Sequence, residues 1–94
     1  MANAKKPRLP DDSTPEASLY TLLHMLGIQV MIALGEVKNP VTGETTLDVR
    51  QARFHFDTIR VLYEKTEGKR TPEETAAFEN VMHEITEVLA RKAP

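Results

Sequence analysis

An uncharged stretch of eighteen residues, Ala17 to Leu34, constrains the fold more than any other feature of this 94-residue chain. At helical spacing it carries one apolar stripe, made of Leu19, Leu22, Leu23, Leu26, Val30, Ala33 and Leu34. A second apolar set lies on the opposite side: Tyr20, Met25, Ile28, Met31 and Ile32. A helix that is apolar all round has to be buried all round. Because two other helices cannot cover it, we expect a second copy of the chain to pack on this second set.

Cap and turn residues divide the chain into three helices. A hydroxyl residue followed by proline begins a helix, and glycine after an apolar run ends one. These signals predict helices over residues 15–34, 48–67 and 72–91, without a strand between them. The predicted fold class is therefore all-α, a three-helix subunit packed in a homo-oligomeric helical bundle.

The length of the chain limits it to one domain. With 40% hydrophobic side chains, 94 residues suffice for one compact unit and are too few for two. We expect this helical domain over residues 15–91 and a short tail over 92–94. Residues 1–14 contain two prolines, a basic cluster and few apolar residues, which predicts a disordered N-terminal arm.

The second predicted helix carries two apolar lines on different sides. One is a stripe at spacings of three and four, formed by Val49, Ala52, Phe56, Ile59 and Tyr63. The other recurs every seven residues at Leu47, Phe54 and Val61. A charged ladder lies between them, and its spacing predicts the i,i+4 ion pairs Arg53–Asp57 and Arg60–Glu64.

A membrane-associated adaptor is one alternative to subunit contact. An uncharged run of eighteen residues is at the short end of the range for a transmembrane helix. However, His24 and Gln29 interrupt the run, Glu16 and Glu36 flank it, and no Trp or Lys belt is present. These features favour burial between subunits over a membrane location.

Motifs for catalysis and nucleic-acid binding are not found. The chain has no Cys, its net charge is −2, and it contains no phosphate-loop, dinucleotide or nucleophile-elbow motif. Glu79, His83 and Glu87 share one helical face, and a metal-binding helical enzyme that uses them is the second alternative. We expect no enzyme activity, no cofactor and no nucleic-acid partner.

The segment that follows the apolar run is rich in turn residues. Asn39-Pro40 and Thr42-Gly43 are turn dipeptides, Gly43 permits a positive φ, and Gly35 can end the first helix. We interpret Gly35, Asn39, Pro40 and Gly43 as a shaped structural loop between antiparallel helices. The alternative is a loop that recognises a partner.

Two motifs resemble a known family. They are ALGEVKNPVTGE at residues 33–44 and YEKTEGKRTPEE at residues 63–74. Their order and spacing resemble the bacterial family called domain of unknown function 1844, over about residues 19–89. The resemblance implies a small, cytoplasmic, helical bacterial protein with no established activity. We therefore expect a non-catalytic structural or protein-interaction module that self-associates through its first helix and that also binds an unidentified protein partner.

Overall fold

The protein is described here by a computed structural model over residues 14–93. It contains three helices: α1 at Leu19–Ala33, α2 at Val49–Lys65 and α3 at Pro72–Lys92. No strand occurs in that part of the chain. The predicted all-α fold of three helices is therefore confirmed.

The structure describes the predicted arm and the predicted tail only in part. Except for Thr14, the predicted arm at residues 1–14 lies outside the described residues, and so does Pro94 of the predicted tail. Lys92, the first residue of that tail, instead forms the last turn of α3.

Helix α1 begins four residues later than the proline signal predicts. Its N-cap is Ser18, whose hydroxyl accepts a hydrogen bond from the Thr21 N–H at 3.1 Å. The Thr21 hydroxyl in turn donates to the Glu16 carbonyl at 2.6 Å, which holds the preceding segment outside the helix. The serine cap thus sets the start, because it satisfies a free N–H of the first turn.

Helices α2 and α3 begin at capping residues that the sequence shows plainly. The Asp48 carboxylate accepts from the Gln51 N–H at 3.1 Å. At α3 the Thr71 hydroxyl accepts from the Glu74 N–H at 3.0 Å, and the Glu74 carboxylate accepts from the Thr71 N–H at 2.9 Å. This reciprocal capping box precedes a proline at the first position of the helix, as the pattern predicts.

The three helices bury one apolar core between them. Each helix contacts the other two. The largest side chains with essentially no exposed surface are Val30 and Leu34 from the α1 region, Ile59 from α2, and Phe78 and Ile85 from α3. Within residues 14–93, the residues of this core cluster are all apolar.

Polar contacts fix the end of α1 against both other helices. The Asp48 N–H donates to the Ala33 carbonyl at 2.7 Å, so α2 begins beside the place where α1 ends. The Glu36 carboxylate lies 3.2 Å from the Lys92 ammonium and 3.9 Å from the Arg91 guanidinium. These contacts join the end of α1 to the start of α2 and to the last turn of α3.

Candidate functional site

The inner side of α1 matches the stripe predicted for the core, except at one position. Leu23, Val30, Ala33 and Leu34 are buried, and Leu19 and Leu26 are half-buried against them. Leu22, which the stripe includes, is 39% exposed. It lies at the margin of the stripe, where a 100° step per residue turns it away from the other two helices.

The other side of α1 leaves large apolar side chains at the surface. Of the residues predicted to form a subunit contact, Met25 is 57% and Tyr20 is 46% exposed. Ile28 and Ile32 are half-buried. Met31 is half-buried as well, and it packs against the core of its own chain. We call Tyr20, Leu22, Met25, Ile28 and Ile32 the outer face of α1.

A shallow groove borders this outer face on the side of α3. Its volume is about 240 Å³, and its lining comprises Leu23, His24, Gly27, Ile28, Met31, Val81, Glu84 and Ile85. A Cβ atom at Gly27 would lie 3.6 Å from Val81 Cγ1, an ordinary van der Waals distance, so α1 and α3 lie next to each other here. The groove therefore has an apolar floor and two polar residues, His24 and Glu84, in its lining.

The loop after α1 is held by its own backbone and by one amide side chain. Gly35 has φ of 78° and its N–H donates to the Ile32 carbonyl, while the Glu36 N–H donates to the Met31 carbonyl. This is a Schellman ending, which requires the left-handed conformation that glycine adopts at least cost. A Cβ atom at Gly35 would also meet the Thr46 carbonyl oxygen at 3.1 Å.

The turn at Asn39 is held by hydrogen bonds of the Asn39 backbone and of its side-chain oxygen. The Asn39 side-chain oxygen accepts from the Val41 N–H at 2.8 Å and from the Thr42 N–H at 3.4 Å. Its own N–H donates to the Glu44 carbonyl, and its carbonyl accepts from the N–H of Gly43, where φ is 75°. Pro40 is exposed between these bonds. The loop is thus shaped from within, as an Asx turn.

The turn between α2 and α3 contains a buried cation that the sequence analysis missed. The Arg70 side chain is only 4% exposed. Its guanidinium lies 3.9 Å from the centre of the Tyr63 ring and donates to the Tyr63 carbonyl. It also donates to the hydroxyls of Thr66 at 2.9 Å and Thr75 at 3.0 Å and to the Glu67 carboxylate at 3.0 Å. Arg70 therefore fastens α2 to α3.

Tyr63 extends this network across the helix pair. Its hydroxyl donates to the Glu79 carboxylate at 2.9 Å. This hydrogen bond raises the pKa of Tyr63 above its ordinary value of 10.0, partial burial and the charge of Glu79 act in the same direction, and the Arg70 cation opposes them. The arrangement stabilises the turn and leaves the phenol protonated at neutral pH.

The charged ladder of α2 forms other pairs than the sequence predicts. Asp57 lies 3.8 Å from Arg60 at i,i+3, and both side chains are exposed. The predicted pairs Arg53–Asp57 and Arg60–Glu64 are wrong, because Asp57 and Arg60 lie near each other instead. Exposed pairs of this length contribute about 0 to 1 kcal/mol, so the ladder is a solvated surface.

The residues of the metal-binding alternative, Glu79, His83 and Glu87, do not meet at one site. Glu79 accepts from Tyr63, whereas His83 Nε2 lies 3.2 Å from the Glu87 carboxylate. Within residues 14–93, no group of three His, Asp or Glu side chains is placed to hold a metal ion. In the same part of the chain, no helix is both long and apolar enough to cross a membrane.

A model of a known protein family covers most of the chain. A family model described as a domain of unknown function (DUF1844) matches residues 16–89. The chain belongs to this family. The match runs from just before α1 to the last turns of α3, so it includes the outer face and both turns, and the predicted resemblance is confirmed. No curated protein and no solved structure matches the chain.

Proposed function

We propose that this member of the DUF1844 family is a non-catalytic interaction module that self-associates through the outer face of α1. The product is a homodimer or a larger helical bundle, and the face can also receive a second protein. The proposal depends mainly on one observation. A helix without a single charged residue has large apolar side chains at the protein surface.

The energetics favour covering this face. Burying a large apolar side chain that was fully exposed gains about 1.5 to 3 kcal/mol. A symmetric dimer gains this burial free energy twice, since each copy contributes the same residues. The outer-face residues are already partly buried in the single chain, so each of them gains only a fraction of this free energy.

The shape of the face suits a helix of a second copy. Ile28 lies between Met25 and Ile32 at helical spacing, and the groove toward α3 lies next to it. A ridge of one helix can enter such a groove of another. The absence of charge on α1 means that the approach of two copies meets no repulsion between like charges on that helix.

Mass measurement in solution tests the proposal. We expect light scattering to give at least a dimer for the wild-type protein. Met25→Glu should shift it toward monomer, because a carboxylate at the contact would be buried without a partner. Ile28→Glu should act in the same way. Because Met25 is exposed in the single chain, its substitution leaves the subunit fold intact.

A matched control uses the same change of charge on another helix. Asn80 is exposed on α3, and Asn80→Glu should leave the mass unchanged. The proposal is wrong if the wild-type protein is a monomer throughout a concentration series. It is equally wrong if Met25→Glu and Asn80→Glu have the same mass as a wild-type oligomer.

A further inference from the structure

An open groove lies between α2 and α3. Its volume is about 580 Å³, and none of its lining residues belongs to α1. Its floor is apolar, because Phe56 and Leu89 are core residues and Met82 is half-buried against that core. The groove is therefore a separate surface from the outer face of α1.

The two edges of the groove differ in charge. Arg53 and Arg60 form the edge on α2, and both side chains are exposed. Thr86 and Ala90 form the edge on α3, where they are exposed one turn apart. Within residues 14–93, no acidic residue lines the groove. It therefore has one positive edge and one neutral edge above an apolar floor.

Both arginines are available to a partner. Arg53 forms no ion pair and no side-chain hydrogen bond within residues 14–93. The Arg60 guanidinium lies 5.3 Å from the centre of the Phe56 ring, which keeps this cation beside the floor. The ion pair of Arg60 with Asp57 is exposed and long, at 3.8 Å, so a partner's carboxylate can replace Asp57 at little cost.

Acidic side chains beyond the edges restrict what can bind. Asp57 and Glu64 lie on α2 outside the lining. On α3, Glu79 accepts a hydrogen bond from a tyrosine, and Glu87 lies 3.2 Å from His83. Because these carboxylates repel other anions, an acidic partner has to confine its negative charge to the arginine edge.

We propose that this groove binds an acidic amphipathic helix of another protein. Arg53 and Arg60 are seven residues apart, which is two turns or about 10 Å along α2. A helix that lies along the groove repeats its own side chains at the same interval, so carboxylates at i and i+7 meet the two arginines. Apolar residues beside those carboxylates then cover the floor, as in other complexes of a helix in a groove.

The charges favour this occupant over three others. A small molecule with one anionic group has a single charge for two arginines that are two turns apart. An anionic membrane surface would also meet Asp57 and Glu64, and the net charge of the chain is −2. A second copy offers both signs of charge on the matching side of α2, because its Asp57 and Glu64 alternate with Arg53 and Arg60.

Titration with three designed peptides tests the proposed occupant. The probe is a labelled helical peptide of four turns with Glu at i and i+7 and Leu at i+1, i+4 and i+8. One control has Gln at i and i+7, and another has its second Glu moved to i+9, on the opposite side of the helix. Fluorescence anisotropy should show that the probe binds and that each control binds about tenfold more weakly. No binding of the probe, or equal binding of all three peptides, would overturn the proposal.

Charge reversal in the protein tests the two arginines. Arg53→Glu/Arg60→Glu should weaken binding of the probe about tenfold or more, and a peptide with Lys at i and i+7 should bind this variant as the probe binds wild type. The matched control is Arg50→Glu/Lys65→Glu, which makes the same change of net charge at two exposed α2 residues outside the lining. This control should stay within about twofold of wild type. Equal loss in both double variants, or no binding of the Lys peptide, would overturn the assignment.

Further measurements separate the groove from the other occupants and from the proposed function. If Arg53→Glu/Arg60→Glu dissociates a wild-type oligomer that does not bind the probe, a second copy occupies the groove and the proposal is wrong. Binding of phosphatidylglycerol vesicles or of dodecanoate in place of the probe would also show that it is wrong. Met25→Glu changes only the outer face of α1, so binding of the probe should persist whether or not α1 associates. Loss of binding in a Met25→Glu chain that is still helical would overturn an independent groove.

Discussion

The turn between α2 and α3 and the outer face of α1 differ in the contacts that their side chains make. At the turn, the buried Arg70 has hydrogen-bond partners on both helices and an aromatic ring beneath it. On α1, no side chain is charged, and Met25 and Tyr20 are exposed within residues 14–93. The charge-rich segment is therefore structural, whereas the uncharged segment is where we expect a second molecule to bind.

Removing the buried cation gives the largest expected effect. Arg70→Ala deletes charge-assisted hydrogen bonds to Tyr63, Thr66, Thr75 and Glu67 and leaves the Tyr63 carbonyl without this donor. We expect the free energy of unfolding to fall by about 3 kcal/mol. Urea unfolding at a fixed protein concentration measures it. Lys69→Ala, at the exposed neighbouring residue, is the control and should stay within about 0.5 kcal/mol of wild type. Equal effects would show that the turn is not fastened by Arg70.

Truncating the inner side of α1 should affect the fold but not the assembly. Leu26 is half-buried against the core, so Leu26→Ala should cost about 2 kcal/mol, the lower end for such a change. The expected result is a lower melting temperature with the oligomer retained at high concentration. Calorimetry and light scattering on the same sample check both. Dissociation without loss of stability would reverse our assignment of the two sides of α1.

Two glycines in the loop between α1 and α2 separate backbone strain from crowding. Both Gly35 and Gly43 have positive φ, but only Gly35 has an atom within 4 Å of an added Cβ. Gly43→Ala should therefore cost about 1 kcal/mol, and Gly35→Ala about 1 kcal/mol more. Chemical denaturation of the two variants side by side measures the difference. If Gly43→Ala is as stable as wild type, the stability of the protein does not depend on the positive φ at residue 43.

The smallest expected effect is a shift in the titration of one phenol. In a Tyr20→Phe background, Tyr63 is the only tyrosine, and its absorbance change should occur above pH 10.0. The native state favours the protonated phenol, so this contribution to stability is complete below pH 10.0 and is lost as pH rises through the raised pKa. Glu79→Gln should lower the pKa of Tyr63 toward its ordinary value. An unchanged titration would mean that the hydrogen bond to Glu79 does not persist in solution.

Local signals in the sequence predicted most of the fold. Thr71 and Glu74 form a capping box around Pro72, so the sequence alone indicates where α3 begins. The start of α1 could not be predicted in this way, because both Pro15 and Ser18 can begin a helix. The hydrogen bond from the Thr21 hydroxyl to the Glu16 carbonyl decides between them. Boundaries depend on such choices, whereas the existence of a helix depends on periodicity.

Arg70 and Met31 could not be placed from the sequence alone. Arg70 is buried because Tyr63 and Phe78, fifteen residues apart, pack beside it once the helices meet. In sequence it is one cation in a basic cluster with Lys65 and Lys69. The periodicity of α1 placed Met31 with the outer set, yet the residue packs against the core and lines the groove between α1 and α3.

The most direct test of self-association through α1 is the reactivity of a thiol placed on its outer face. Met25→Cys introduces the only cysteine of the chain at an exposed position, and Asn80→Cys provides an exposed control on α3. We predict that thiol labelling at position 25 slows as the protein concentration rises, because association buries this site, while labelling at position 80 stays constant. Equal labelling rates at both positions, independent of concentration, would contradict the account.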